Sequence, residues 1–469
     1  MPSQPSRQLV ACRARRYFYS FCFGLFFMFT VAVHAERVDV SDAAGLAAAL
    51  AAAQPGQTLY LADGDYEGDF SIDVDATDAP VVIRAVHPLQ ARMTGLFSVE
   101  GRHIHVKGLY FDGIDARLRL HGFDHKAIGN KFEGWGTNAP ALEPAWGIRA
   151  EIAYNEFTRP DPFTEAGAPS DYPLRIAIRS SHRVHAFHYD AWVHHNWFHD
   201  MPEKPDPANY HSGQSDAIEI AHTGTDIDSG WIVEWNLIEN HRQGAGILDV
   251  KASNNTTVRF NTVRNAPGGR IDFRNGDGGR MIANWIEDAG GIAVSGEDHE
   301  IVGNVLVNTG TIFLPSGTDP QGLGATRKAA SHNILRCNTG PLQIGGWGGS
   351  YKATGNTVIG HNGGISLNSA GEEGTVVIEE EDCGDVPQAR PLVASEVGPA
   401  AYWEEQTDPP SMWRGVEIGP GGDVTDPQSG LWMNVEHAPW VYLLDLSAWA
   451  FHREDWDSGE GAWLFLPAR

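Results

Sequence analysis

Lys251 and Arg274 stand in the same phase of two successive repeats, Leu248-Asp249-Val250-Lys251 and Ile271-Asp272-Phe273-Arg274. Each ends ten residues before an Asn with apolar neighbours, Asn261 and Asn284, so the repeat is 23 residues long. Side chains alternate between faces along a strand. Leu248, Val250, Ile271 and Phe273 are therefore expected inward, and Asp249, Lys251, Asp272 and Arg274 outward. Stacked as neighbouring coils ~4.8 Å apart, the four outward groups share one patch, which Glu219 in Ile218-Glu219-Ile220 extends by one coil. Such a patch suits elimination at a glycosidic bond beside a carboxylate. That reaction needs a base for the proton α to the carboxylate, positive charge for the carboxylate itself, and a proton for the leaving oxygen. Lys251 suits the base if a neighbouring cation lowers its pKa, and the Arg274 fork suits a carboxylate. Asp249 and Asp272 pull the Lys251 pKa the other way. Two further readings stay open: a salt-bridge ladder on a solvated face, or a retaining hydrolase that uses Asp249 and Asp272 ~5 Å apart and leaves the two cations idle.

The elements that must position this patch are short and β-rich. An apolar-Asn-apolar signature recurs at Asn130, Asn155, Asn196, Asn236, Asn261, Asn284, Asn304, Asn333 and Asn356. Periods of this size mean stacked coils, and each Asn is expected to bond its turn and its equivalent one coil away. Runs such as Trp231–Trp235, Thr257–Phe260 and Thr375–Ile378 are expected strands, punctuated by Gly, Asn and Asp. The fold class is all-β, a single-chain right-handed parallel β-helix. Ala43–Ala53 reads as a capping helix with Ser41 or Asp42 as N-cap, covering a sheet edge. The two longest spacings, on either side of Asn196, must leave the coil as loops, Thr158–Asp171 and Met201–Gln214, where sites are commonly built. His211, on the second of these loops, and Arg242, outside both, are candidate substrate contacts, and His194, His195 and His299 are expected turn residues. After about residue 385 the signature stops. Residues 386–430 read as a linker or irregular coat, and 431–469 as a small aromatic β module around Trp440-Val-Tyr442, Trp449-Ala-Phe451 and Trp463-Leu-Phe465.

Residues 1–35 read as a signal peptide: Arg7, Arg13, Arg15 and Arg16 precede an apolar stretch, Tyr17–Val33, with cleavage after Ala35. The protein is thus expected to be secreted or periplasmic, with no membrane association after cleavage. The chain carries a net charge of −26, and the leader holds none of its acids. Such a surface argues against nucleic acid or anionic membrane as partners, while a local basic groove still admits an acidic polysaccharide. Cys337 and Cys383 remain after cleavage, either as a disulfide or as two buried thiols. The oligomeric state is not legible.

The stretch from about Asn196 to Asn304 resembles polysaccharide lyase family six, the chondroitinase B and alginate lyase group. The resemblance rests on Asp249-Val-Lys251-Ala-Ser253, Phe273-Arg274-Asn-Gly-Asp277, Gly290-Gly-Ile-Ala-Val294 and Gly296-Glu-Asp-His299. Leu46–Leu50, Gln54–Gln57 and Ala62–Tyr66 extend it to the N-terminal region, so that it spans roughly residues 38 to 380. It implies a parallel β-helix with Lys251 as Brønsted base and Arg274 as acid or carboxylate partner. It also implies calcium bound by carboxylates just before the lysine. Here the matching positions are Gly244 and Gly246, and no upstream Asn ligand stands near His211–Gln214, so no metal ligand is assigned and three readings of calcium stay open: the protein works without it, Asp249, Asp272 and Glu219 build a different site, or the activity is altered or lost. Asn275 replaces a common His, and Ala293 a frequent Arg. The expected activity is β-elimination on a uronate polymer, alginate first. Alternatives are a chondroitin or dermatan lyase, a non-catalytic polysaccharide-binding β-helix, or the hydrolase. Glu219, Asp249, Asp272, His211, Arg242 and Asn275 are the expected substrate-binding set.

Overall fold

The computed structural model describes residues 36–405 apart from 136–138, 159–175, 181–188, 202–215, 221–227, 242–245, 319–326, 347–349 and 368–375. Beyond 405 it describes the backbone of six short strands between 412 and 451. The expected leader, both expected long loops except at their ends, His211, Arg242 and Gly244 lie outside the described residues. No helix among the described residues is long and apolar enough to cross a membrane.

The chain forms a right-handed parallel β-helix. One face is a 14-stranded parallel sheet that runs from Glu36–Val40 to Val377–Glu379. A 23-stranded sheet supplies two more faces. One of these stacks strands such as Lys131–Glu133, Glu156–Thr158 and Trp197–Met201. The other stacks Ile178–Arg179, Ile218–Ile220, Gly246–Lys251 and the C-terminal halves of two 13-residue strands, Thr262–Arg274 and Trp285–Glu297. Inward columns of Val, Ile, Leu and Phe make one continuous core. Within it Phe111, Phe132, Phe157 and Phe198 stack face to face, with centroids 4.7–4.8 Å apart, which is the coil spacing itself. The N-terminal helix spans Ala43–Ala52 and buries Leu46 and Leu50. Its cap is Asp42, which accepts a hydrogen bond from the Gly45 amide.

An asparagine ladder runs along one corner. Each Asn donates its side-chain amide to the Oδ1 of the Asn one coil on, at 2.9–3.0 Å, from Asn130 through Asn155, Asn196, Asn236, Asn261, Asn284 and Asn304 to Asn338. The sequence reading placed Asn333 and Asn356 in the same series. The structure corrects this: those two form a second ladder on another corner, where Asn333 accepts from the His299 amide and donates to Asn356. The local signature is the same at both corners, so it cannot tell them apart. Every rung is fully buried, and a lost rung leaves several polar groups unsatisfied. Asn236→Ala is accordingly expected to lower stability by about 3 kcal/mol, measured by urea unfolding. A loss no larger than that of an average surface substitution would mean that the ladder is passive.

Residues 386–405, read from the sequence as linker or coat, lie along this corner as a strap. Val386 and Pro387 press on Gly303, the Leu392 amide donates to Thr262 Oγ1, and Leu392 and Val397 pack with Leu237. The Gly398 amide donates to the His195 carbonyl. Helix Gly398–Glu405 then places Tyr402 on Tyr154 and Trp403 on Gly129, whose carbonyl accepts from the indole at 3.1 Å. Gly129 has φ +65° and no room for a Cβ beneath Trp403, so glycine is required there twice over. Cys337 and Cys383 form a disulfide beside the last coils. Further on, Asp423–Thr425, Trp432–Asn434, Trp440–Leu443 and Ala448–Phe451 make a four-stranded antiparallel sheet. Its first strand falls in the segment read as linker, and Trp463–Phe465 lies outside the described residues.

Candidate active site

The expected stacking is present residue for residue. Leu248 pairs with Ile271, Asp249 with Asp272, Val250 with Phe273 and Lys251 with Arg274, while Glu219 pairs with Asp249 from the coil before. The apolar members point into the core and the charged members away from it. The strands that carry them form for the reason legible in their pattern: one apolar face, and β-branched or aromatic residues that pack in a column.

The patch is not a solvated face, which tells against the salt-bridge ladder on a solvated face that the sequence left open. Lys251 is 3% exposed and Asp272 2%, and Glu219 and Asp249 are likewise buried. Only Arg274 is half-buried. Part of the cover is Arg327 itself. Its guanidinium grips both oxygens of Asp272, at 2.9 and 2.6 Å, and reaches Ser295 Oγ at 3.2 Å. Arg270 adds a contact to Asp272 at 3.3 Å. Burial alone would raise the Asp272 pKa, but the arginines, Arg327 foremost, hold it down at about 2. Next in line, Asn275 accepts from the Lys328 amide at 2.8 Å, and the Lys328 ammonium meets Asp277 and Glu297. Asn275 therefore anchors this cover. It is as buried as Lys251, where the sequence reading expected a substrate contact.

Lys251 lies in a cage of carboxylates. Its Nζ is 2.9 Å from Glu219 Oε2, 3.3 Å from Asp249 Oδ2 and 3.8 Å from Asp216 Oδ2. Glu219 is shared with Arg179, whose Nε donates to Oε1 at 3.1 Å. Burial disfavours the ammonium, but Asp249, Asp216 and Glu219 outweigh it and raise the Lys251 pKa above its ordinary value. Of the two opposing influences read from the sequence, the acids prevail over Arg274: three carboxylates are near, and the one cation in register is a coil away. Burial also pushes Asp216 well above the usual carboxylate range, and Asp249 up with it. Arg274 is the contrast. No carboxylate among the described residues pairs with it, and its buried Nε has no hydrogen-bond partner. Arg179, Arg270 and Arg327 are each committed to an acid.

Asp216, Arg179, Arg270 and Arg327 were missed in the sequence. Ile178-Arg179 repeats the phase of Ile218-Glu219 and was legible in principle, but a long insertion separates the two. Arg327 belongs to no repeat. His299 holds its turn as expected, accepting from the Gly279 amide.

The residues present do not fit calcium in the way the resemblance implies. Gly246 offers no ligand, and a Cβ there would sit 3.1 Å from the Asp249 carboxylate, which leans over it. The centre of the acidic cluster is held by the Lys251 ammonium, and no His, Cys, Asp and Glu grouping among the described residues is set to hold a metal.

No family model and no curated protein matches this sequence. Solved structures do. A mannuronic acid specific polysaccharide family 6 lyase from human gut microbiota superposes with a TM-score of 0.61 at 14% identity, over 80% of this chain and 98% of that one. A PL6 alginate lyase in complex with a trisaccharide gives 0.60 at 16% identity, over 78% and 95%. The PL6 family alginate lyase AlyGC gives 0.58 at 14% identity, over 77% of this chain but only 53% of that longer one. What this chain shares with these lyases is their fold, the right-handed parallel β-helix.

Proposed function

We propose that this protein is a polysaccharide lyase that cleaves an acidic, uronate-containing polysaccharide by β-elimination, with alginate as the first candidate. The observation that carries the reading is the in-register pair Lys251 and Arg274, in which Arg274 forms no ion pair with a carboxylate among the described residues. Its planar fork is matched to a carboxylate, and its half-buried setting strengthens that contact. Arg274 serves as acid or carboxylate partner. Lys251 serves as the base: the C–H bond α to the carboxylate breaks, its proton passes to Nζ, its electrons form the new C=C bond, and the glycosidic C–O bond breaks with its electron pair going to the leaving oxygen, which takes a proton from Arg274 or from water. Lys251 must first shed the proton that its cage favours, so the reactive form grows with rising pH. Glu219 and Asp249 hold Lys251, and Asp272 holds Arg327 and Arg270, so these acids serve the cations rather than the sugar. The Cys337–Cys383 disulfide supports an exported protein, since such bonds persist in oxidising compartments.

A hydrolase reading has one observation in its favour. The stacked Asp249 and Asp272 are pushed to opposite sides of the ordinary carboxylate pKa, as an acid and nucleophile pair would be. The Arg327 fork, however, occupies both Asp272 oxygens. The discriminating experiment is incubation with alginate, polymannuronate, polyguluronate, chondroitin and dermatan. Ultraviolet absorbance from an unsaturated product is the expected result. New reducing ends without unsaturation would mean hydrolysis, and saturable binding without product would mean a binding protein.

A further inference from the structure

We propose that the Lys251 ammonium is the resident cation of this site, seated in a cage of Asp216, Glu219 and Asp249 that accepts a divalent ion only when the ammonium is removed. The geometry is that of a cation site built around nitrogen. Three carboxylate oxygens face Nζ at 2.9, 3.3 and 3.8 Å, wider than the ~2.3–2.6 Å that calcium requires. All four side chains are buried. Asp216 Oδ2, one of the oxygens facing Nζ, and Asp249 Oδ1 have no hydrogen-bond partner. The cage thus holds acceptor capacity that the single ammonium leaves unused. Gly246 is part of the design, because the Asp249 carboxylate takes the space that a side chain there would fill.

Charge explains why the ammonium prevails. The cluster sets three acids, Asp216, Glu219 and Asp249, against two cations, Lys251 and Arg179, so a divalent ion finds its seat already filled by positive charge. To enter, that ion must evict a tethered group present at high effective concentration. The evicted ammonium's in-register neighbour is Arg274, a like charge. With Lys251 truncated, both obstacles vanish, and the three carboxylates can contract onto an ion.

The test is calcium uptake by equilibrium dialysis together with thermal melting, on the wild-type chain and on Lys251→Met. The wild type is expected to take up no stoichiometric calcium and to melt at the same temperature with or without it. Lys251→Met is expected to bind one calcium per chain and to gain about 3 °C or more in millimolar calcium. Folding of the variant only in the presence of calcium is the same result in stronger form. Should Lys251→Met stay unfolded in both conditions, Lys251→Met/Asp216→Asn carries one buried acid fewer and is read in the same way. A wild type that binds one calcium, lost in Asp249→Asn, would overturn the proposal. So would a folded Lys251 variant with neither uptake nor shift. Neither readout involves turnover, so a protein without lyase activity leaves the outcome intact.

Discussion

Lys251→Met is expected to lower kcat on the responsive uronate polymer by about 10²–10⁴-fold, the range for loss of a positioned proton acceptor, with KM changed far less. Unsaturated product, followed by its ultraviolet absorbance, measures this. The wild-type pH profile belongs to the same prediction. The cage carboxylates raise the Lys251 pKa, and a base works only when deprotonated. Its competent fraction therefore grows tenfold per pH unit below that pKa. Activity should climb through the alkaline range without levelling before the ordinary lysine value of about 10.4. A plateau near neutrality would assign the base to another group. Full activity in the variant would remove Lys251 from the mechanism altogether. Replacing one cage acid, as in Asp249→Asn, shifts the same profile toward lower pH, which a purely structural salt bridge would not do.

Arg327→Met is expected to cost about 3 kcal/mol of stability at neutral pH, because breaking a buried pair strands a charge that burial penalises. Asp272 would keep Arg270 at 3.3 Å and lose both short contacts. Urea unfolding across a pH series checks the size and the sign. The folded-state pKa of Asp272 is depressed to about 2, against about 3.9 in an unfolded chain. The stabilisation is therefore fully present above the unfolded value and is lost as pH falls through the folded one. The gap between wild type and variant should close over that acidic interval. A gap that stays constant from neutrality to pH ~2 would place the role of Arg327 in packing instead.

Much of this was legible in the sequence because a coil repeats. Phase places Lys251 over Arg274 and Asp249 over Asp272 without further information, and the apolar residues between them name their own side of the sheet. The Asn ladder was legible for seven rungs and then followed the wrong corner, since Asn333 and Asn338 lie within five residues and only the former carries the flanking pattern. The cage was not legible as a cage. Alternation tells which way Lys251 points, but not that its outward side is covered. That cover comes in part from Arg327, which reaches Asp272 across 55 residues from a segment with no period. The direction of the Lys251 pKa stayed open in the sequence for a related reason: Asp249 and Arg274 pull opposite ways, and Asp216, which adds to the acids, precedes its strand outside the repeated phase.

The strap of residues 386–405 changes how the molecule should come apart. In an unbraced solenoid each coil touches only its neighbours, so the array frays from an end, one coil at a time. Here one segment is fastened at Gly303, at Thr262, at His195 and at Gly129. It ties late coils to early ones across the ladder's length, much as a spine binds pages. Peeling back the last coils does not release the strap's far end, and loosening the early coils strips Tyr402 and Trp403 from their seats. End fraying is thereby converted into a shared event, and the turns that carry Lys251 and Arg274 sit within the bound span rather than near a free edge.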